Sequence, residues 1–236
     1  MFDLLELVAG AETIAIAGHV RPDGDCVGSC LGLYNYLTEQ YQEKKIEVFL
    51  ESVPAAFSFL TNADKAKNEA TDTVYDLFIA LDCGSSDRLG FTEAMFQKAK
   101  TRVNIDHHIS NTMFGQWNHV EGEASSASEV LFGFLKEEQI SKAVAECLYL
   151  GIVHDTGVFK HSNTSEATMA VAGKLLSKGV SSSQVIDDSF YRKTYLQNQI
   201  LGRCLLESIL LLDGKIIFSA VSQKMMQLYG AVPADL

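Results

Sequence analysis

Apolar positions along the chain recur with two different spacings. Short runs in which nearly every residue is apolar or β-branched occur at residues 13–17, 46–50, 75–81 and 102–105, and each is followed by turn residues. Runs of this length and composition predict strands buried on both faces. Between them the period lengthens: Val27, Cys30, Leu31, Tyr34 and Leu37 form one stripe at helical spacing. Ser126-Ala127-Ser128-Glu129 predicts a capping box ahead of Val130, Leu131, Phe134 and Leu135. A further helix starts at Ser141 and buries Val144, Cys147, Leu148 and Ile152, and another runs over 165–176 until Gly179 stops it. Strands alternating with helices predict an α/β fold, a doubly wound and mostly parallel sheet that binds ligands beyond the carboxyl ends of its strands.

The pattern changes near residue 189. Leu196, Ile200, Leu201, Cys204, Leu205 and Ile209 predict one long linker helix over 189–210. Beyond Gly214 a strand at 215–221 and a short helix at 222–229 follow. A strand and a helix of this size cannot bury a core of their own. The segment 211–236 is therefore expected either to pack on the first domain or to open a second, incomplete α/β domain. The expected plan is a first, sheet-forming domain at 1–188, the linker at 189–210 and the partial domain at 211–236.

Composition narrows the classes of partner. The 236 residues are 47% hydrophobic and 21% charged, ordinary for a globular chain, and 19 Lys and Arg against 30 Asp and Glu leave a net charge of -11. Such a surface offers no field for a long duplex nucleic acid. No apolar run nears the roughly 18 residues of a membrane span, and the N-terminus has no basic leader, so a soluble cytoplasmic protein without a membrane partner is expected. The five cysteines are scattered and form no CxxC pair, which suits buried thiols in a reducing compartment. A P-loop, a GxGxxG fingerprint and a nucleophile elbow are all missing from the sequence.

Acids and histidines gather at four places where a parallel sheet exposes its ligand edge. His19, Asp23 and Asp25 follow the first strand and open the first helix; Asp23 alone reads equally well as a helix cap. Asp82 ends the third strand, and Asp106, His107 and His108 end the fourth. His154-Asp155 closes the helix from Ser141, with Asp155 continuing its apolar stripe, where an acid is costly unless paired or metal-bound. Asp23, Asp25, Asp82 and Asp155 together with His19 and His107 would converge on one edge. Four carboxylates so close repel one another, and two divalent ions would balance them. A mixed His/Asp set suits Mn²⁺, with Mg²⁺, Co²⁺ or Zn²⁺ as alternatives. A carboxylate shared by two ions is the geometry of two-metal phosphoester hydrolysis by an activated hydroxide. Arg88 is weighed as a phosphate contact against an ion-pair partner, and His161 as a site residue against a loop histidine beside a helix cap. His119 and Trp117 read as structural.

The stretch His19-x-x-Pro22-Asp23-x-Asp25, the strand-end Asp82, the Asp106-His107-His108 triplet and Asp155, in that order, resemble the four motifs of the DHH phosphoesterase family across about residues 1–190. Gly24, Gly28-Ser29 and Arg88-Leu89-Gly90 are similar to its NrnA-type branch of bifunctional oligoribonucleases and 3'-phosphoadenosine 5'-phosphate phosphatases. Family II pyrophosphatases share the scaffold but show N-P-D-T-D where this chain has Arg21-Pro22-Asp23-Gly24-Asp25. The resemblance implies that His19, Asp23 and Asp82 hold one metal and that Asp25, Asp82, His107 and Asp155 hold the other. It implies that Asp106 orients a neighbouring imidazole and that His108 contacts the scissile phosphate. It also implies a Rossmann-like catalytic domain, a linker helix and the opening of a DHHA1-like substrate domain, although the glycine-rich basic motif of that domain does not occur in the 236 residues. The implied activity is Mn²⁺-dependent hydrolysis of a short oligoribonucleotide or nucleotide, with a homodimer left open. Inorganic pyrophosphatase or cyclic-dinucleotide phosphodiesterase on the same centre, and a non-catalytic nucleotide sensor, are the alternatives.

Overall fold

Five short strands, β1 (Thr13–Ala17), β2 (Lys45–Phe49), β3 (Leu77–Leu81), β4 (Thr101–Asp106) and β5 (Trp117–Val120), form a sheet in the order β2-β1-β3-β4-β5 with every pairing parallel. The computed structural model describes residues 2–232, which divide into two units, 2–190 and 191–232. In the first unit the helices are α1 (Leu4–Ala9), α2 (Gly24–Gln40), α3 (Glu93–Lys98), α4 (Ala127–Phe132), α5 (Lys142–Asp155), α6 (Glu166–Ser177) and α7 (Ser182–Ile186). Alternate strand residues face two cores. Ile14, Ile16, Ile79 and Val103 join the larger one with α2 and α5, whereas Ala15, Ala17, Phe78 and Ala80 join the smaller one with Met95 and Phe96 of α3. Burial on both faces is why the strands read as unbroken apolar runs.

The expected doubly wound parallel sheet is thus observed, with three differences in detail. Strand β5 has no apolar run because it is an edge strand; its residues are exposed or half-buried, and the ladder to β4 holds it. Helices α1 and α3, six residues each, are too short to show a helical period. The capping box at Ser126 is half-formed: Ser126 accepts from the Glu129 N–H at 3.0 Å, but the Glu129 carboxylate accepts from Ser125 and from the Thr168 hydroxyl.

Helices α2 and α5 cross unusually closely. A Cβ on Gly28 would lie 2.5 Å from the Cys147 carbonyl and 2.9 Å from the Gly151 nitrogen, and one on Gly32 would meet Leu148 at 2.9 Å. These contacts make the pair antiparallel, so the start of α2 and the end of α5 meet at one end of the sheet.

The second unit contains α8 (Tyr195–Leu206), β6 (Ile209–Leu211), β7 (Ile216–Phe218) and α9 (Gln223–Tyr229), with β6 and β7 paired antiparallel. The long helix expected over 189–210 spans only Tyr195–Leu206, and the run Ile209 to Leu212 begins a hairpin; an apolar run this short does not distinguish helix from strand. Residues 233–236 of the segment expected at 211–236, and Met1, lie outside the described residues. Among the described residues no helix is long and apolar enough to cross a membrane.

Two stability predictions follow from these contacts. Gly28→Ala should destabilise the protein by about 1–3 kcal/mol through overpacking. Gly173→Ala, in the exposed part of α6 with nothing within 4 Å, should stabilise it by up to about 1 kcal/mol; denaturant midpoints compare the two. Asp76 accepts from Lys100 Nζ at 2.7 Å, the Thr13 hydroxyl at 3.0 Å and the N–H groups of Thr13 and Glu12. The Lys100 ammonium, then the Thr13 donors, hold its carboxyl well below the usual carboxylate range. Its stabilising contribution is present above the ordinary carboxylate pKa of about 4 and is lost as pH falls toward the depressed folded value. Asp76→Asn should therefore lower stability near pH 7, by about 1–2 kcal/mol, and the difference from wild type should shrink in urea melts run below pH 4.

Candidate metal centre

The sheet order reverses between β1 and β3, and the carboxyl ends of β1, β3 and β4 deliver the polar cluster there. His19 lies just beyond β1. Its Nδ1 contacts the Val20 carbonyl at 2.8 Å, which leaves Nε2 facing Asp82 Oδ2 at 3.3 Å and Asp23 Oδ2 at 3.6 Å. Asp23 fills two roles. Oδ1 caps α2 by accepting from the Asp25 and Cys26 N–H groups at 3.1 Å each, while Oδ2 turns to His19. Asp82 sits directly after β3 in the left-handed region, at φ 51°, a conformation uncommon for aspartate and one that aims its carboxylate across the turn.

The other side of Asp82 meets His107. His107 Nε2 lies 3.1 Å from Asp155 Oδ2, 3.6 Å from Asp82 Oδ1 and 3.9 Å from Asp25 Oδ2. Asp25 is fully buried and is held by the start of α4, whose Ala127 and Ser128 N–H groups donate to Oδ2 at 2.6 Å and Oδ1 at 2.9 Å. A Cβ on Gly151 would fall 2.1 Å from Ser128 Oγ and 2.6 Å from Asp25 Oδ1, so only glycine in α5 leaves room for this arrangement. Asp155 is not wholly enclosed: as the last residue of α5 it is 23% exposed, where the stripe reading placed it in the core.

Burial raises the carboxyls of Asp25 and Asp155, and neighbouring acids raise them further. For the imidazoles burial works in the opposite sense to their neighbours. Asp155 and Asp82 outweigh it at His107, pushing it up to about 11, and Asp23 and Asp82 outweigh it at His19, which is also raised. At Asp23 burial is outweighed by His19 and by the capping N–H groups, bringing the carboxyl down to about 2. Two buried atoms, Asp82 Oδ1 and His107 Nε2, have no hydrogen-bond partner although carboxylate oxygens or imidazole nitrogens stand nearby. Orphaned donors and acceptors in a crowded acid–imidazole cluster are what divalent-cation ligands present. Donor atoms of Asp25, His107 and Asp155 lie within 4.8 Å of one another, as do those of Asp82, Asp106, His107 and His108. The residues present therefore fit a divalent cation.

His108 differs from the other imidazoles in its nearest partner, although its Nδ1 also lies 3.6 Å from Asp82 Oδ1. Its Nδ1 meets Asp106 Oδ1 at 2.7 Å, and Asp106 raises the imidazole while His108 and Asn111 hold the buried Asp106 carboxyl low. Asn111, which periodicity could not single out, donates to Asp106 Oδ2 at 2.6 Å, Asn104 Oδ1 at 2.8 Å and the Cys83 carbonyl at 3.1 Å. Only its polar turn context signalled it. Among the described residues no hydrogen bond or ion pair joins the Arg88 side chain to the cluster; its carbonyl accepts from the Val20 N–H at 2.8 Å. His161 contacts the Asp155 carbonyl rather than its carboxylate, at 3.3 Å, and lies against Gly157. His154 is held through Ser189 at 3.1 Å and between Phe57 and Phe190, and a Cβ on Gly24 would strike its ring.

An open parallel α/β sheet carrying an Asp/His cluster at its switch point defines a class of ligand-binding domains. Residues 13–152 match the DHH family, N-terminal domain, and the chain belongs to the DHH family. It is 32% identical over 197 residues to a Bacillus subtilis (strain 168) protein named bifunctional oligoribonuclease and PAP phosphatase NrnA, covering 81% of this chain and 61% of that protein. A Thermus thermophilus protein of the same name is 31% identical over 198 residues, covering 80% of this chain and 57% of the relative. The chain thus spans about 60% of the length of these relatives. An exopolyphosphatase-related protein from Bacteroides fragilis superposes with a TM-score of 0.90 at 23% identity, covering 98% of this chain and 72% of that one, and shares the fold.

Asn111→Ala should leave the buried Asp106 Oδ2 without its amide donor and cost about 1–3 kcal/mol in a denaturant titration. Asn111→Asp should be at least as damaging, because it sets a second carboxylate against Asp106.

Proposed function

We propose that this chain carries the hydrolytic machinery of a phosphoesterase acting on short oligoribonucleotides, 3'-phosphoadenosine 5'-phosphate, or both. The single observation that carries this reading is the carboxylate of Asp82, with Oδ2 turned to His19 and the orphaned Oδ1 turned to His107. It can serve two neighbouring cations at once. In this reading His19, Asp23 and Asp82 hold one ion and Asp25, Asp82, His107 and Asp155 the other. Two divalent ions, Mn²⁺ by donor type, would supply Lewis acidity toward the phosphoryl oxygens and lower the pKa of a water nucleophile. The names of the NrnA relatives support the substrate class, and the net charge of -11 supports a short substrate over a long duplex.

The remaining steps belong to the chain's own residues. Asp106, fixed by Asn111, holds His108 by Nδ1 and favours its protonated form. Partly exposed at 33%, His108 has its Nε2 free of any protein hydrogen bond among the described residues, and it donates from there to a phosphate oxygen in the proposed complex. The α4 N-terminus keeps Asp25 oriented toward His107. A non-catalytic sensor would not need so many convergent ligand groups.

Exhaustive chelation should abolish phosphodiester hydrolysis and lower the melting temperature, and Mn²⁺ should restore both. Asp82→Ala should lose most of both ions by metal analysis, whereas Asp25→Ala should chiefly lose one. His107→Ala should lose metal, while His108→Ala should retain it and lose turnover; equal metal loss in the two variants would refute the separate roles. Rates on 3'-phosphoadenosine 5'-phosphate, a trinucleotide and pyrophosphate decide the substrate, and a preference for pyrophosphate would overturn the nucleotide reading.

A further inference from the structure

The centre has a sulfur neighbour that the phosphoesterase reading leaves unused. Cys26 lies in the first turn of α2, three residues after the capping Asp23, and so shares its side of the helix. It is completely buried. One donor atom each from His19, Cys26 and Asp82 lies within 4.8 Å of the others. The sulfur fills the space left by the missing side chain of Gly18, where a Cβ would be 2.2 Å from Cys26 Sγ. Its hydrogen bond to the His19 carbonyl is long, at 3.8 Å. Asp82, only 2% exposed, turns Oδ2 to His19 Nε2 at 3.3 Å in the same triad.

We propose that Cys26 is an additional ligand at the His19–Asp82 corner, engaged by thiophilic divalent cations such as Zn²⁺ and Co²⁺ and left aside by Mn²⁺. The inference rests on the metal-centre reading above and adds a determinant of metal choice to it. Metal–ligand bonds of about 2.0–2.3 Å put opposed donors on one ion a little over 4 Å apart, so the triad can close on a cation with small side-chain adjustments. Thiolate sulfur is a soft donor that favours Zn²⁺ over Mn²⁺, and the thiol gives its proton to solvent as the metal–sulfur bond forms. With His19, Asp23 and Asp82, Cys26 completes a four-donor set. Such a set is closed, as in structural zinc sites, and leaves no position for a reacting oxygen. A thiophilic ion would thus be held tightly at this corner in an unproductive form. Cys30, one turn later, has its sulfur 3.2 Å from the same Gly18 hollow but does not belong to the triad, and it serves as the control.

The test is a Co²⁺ titration of the 236-residue chain, followed by absorption. Wild type should show visible d–d bands together with a near-ultraviolet sulfur-to-Co²⁺ charge-transfer band. Cys26→Ser and Cys26→Ala should keep the d–d bands and lose the charge-transfer band, and their Zn²⁺ affinity should fall about tenfold or more with Mn²⁺ affinity changing less than about threefold. Cys30→Ser should retain the charge-transfer band. If wild type shows d–d bands alone, or if the band survives in both Cys26 variants, the inference is overturned while the metal centre stands. If Co²⁺, Zn²⁺ and Mn²⁺ all fail to bind wild type, the metal-centre reading itself is overturned. Circular dichroism of the two Cys26 variants separates loss of a ligand from loss of the fold.

Discussion

The site depends first on how closely α2 and α5 can approach. Their contact is lined by Gly28 and Gly32 on one helix and Gly151 on the other, and a methyl group at Gly28 or Gly151 would already collide with backbone or with Ser128 and Asp25. Close approach lets the N-terminal acid of one helix, Asp25, and the C-terminal acid of the other, Asp155, reach the same imidazole. The helix dipoles treat these acids differently. Asp25 lies at a positive helix end and is also capped by α4, whereas Asp155 lies at a negative end and gains nothing there. Its stabilisation comes from the partners it faces across the sheet edge.

That edge collects more negative charge than its surroundings favour. Asp25 and Asp82 are almost wholly buried and Asp155 is only partly exposed, so solvent screens them poorly. Protein groups answer the charge incompletely: the facing carboxylates raise His19 and His107, Asp25 and Asp155 are themselves raised, and two polar atoms stay unpaired. A fold stabilised only by its own contacts would gain by replacing such a cluster with apolar residues. Its cost is understandable where a ligand completes the coordination, and Asp82 in its left-handed turn shows the same economy of purpose.

The histidines divide the work through their partners. His19 and His107 turn nitrogens toward carboxylates within the cluster, while His108 turns Nδ1 to Asp106, which accepts from Asn111, itself anchored on Asn104. This polar chain is continuous and rooted in the buried Asp106 and Asn104, so it can fix one imidazole orientation at the rim of the cleft. Adjacent histidines are separated in role by which neighbour each one meets.

The hydrophobic pattern by itself determined the strands β1 to β4, the main helices and the parallel α/β class, because segments buried on both faces must be apolar throughout and the helices between them must carry a stripe. It also located His19, Asp23, Asp25, Asp82, His107 and Asp155 at strand and helix ends, since topology alone sends those ends to one edge. Edge strand β5, the short helices α1 and α3 and the hairpin from Ile209 were illegible: backbone pairing or a few caps hold them, and neither leaves a distinctive period. Only the tertiary structure decided that Asp23 caps with one oxygen and faces His19 with the other, that Asn111 holds Asp106, that Arg88 makes no polar contact with the cluster, and that the Cys26 sulfur lies beside His19 and Asp82. Each is a matter of distances between residues far apart in the chain or of how a single carboxylate is turned, and such distances are set by packing rather than by any local pattern.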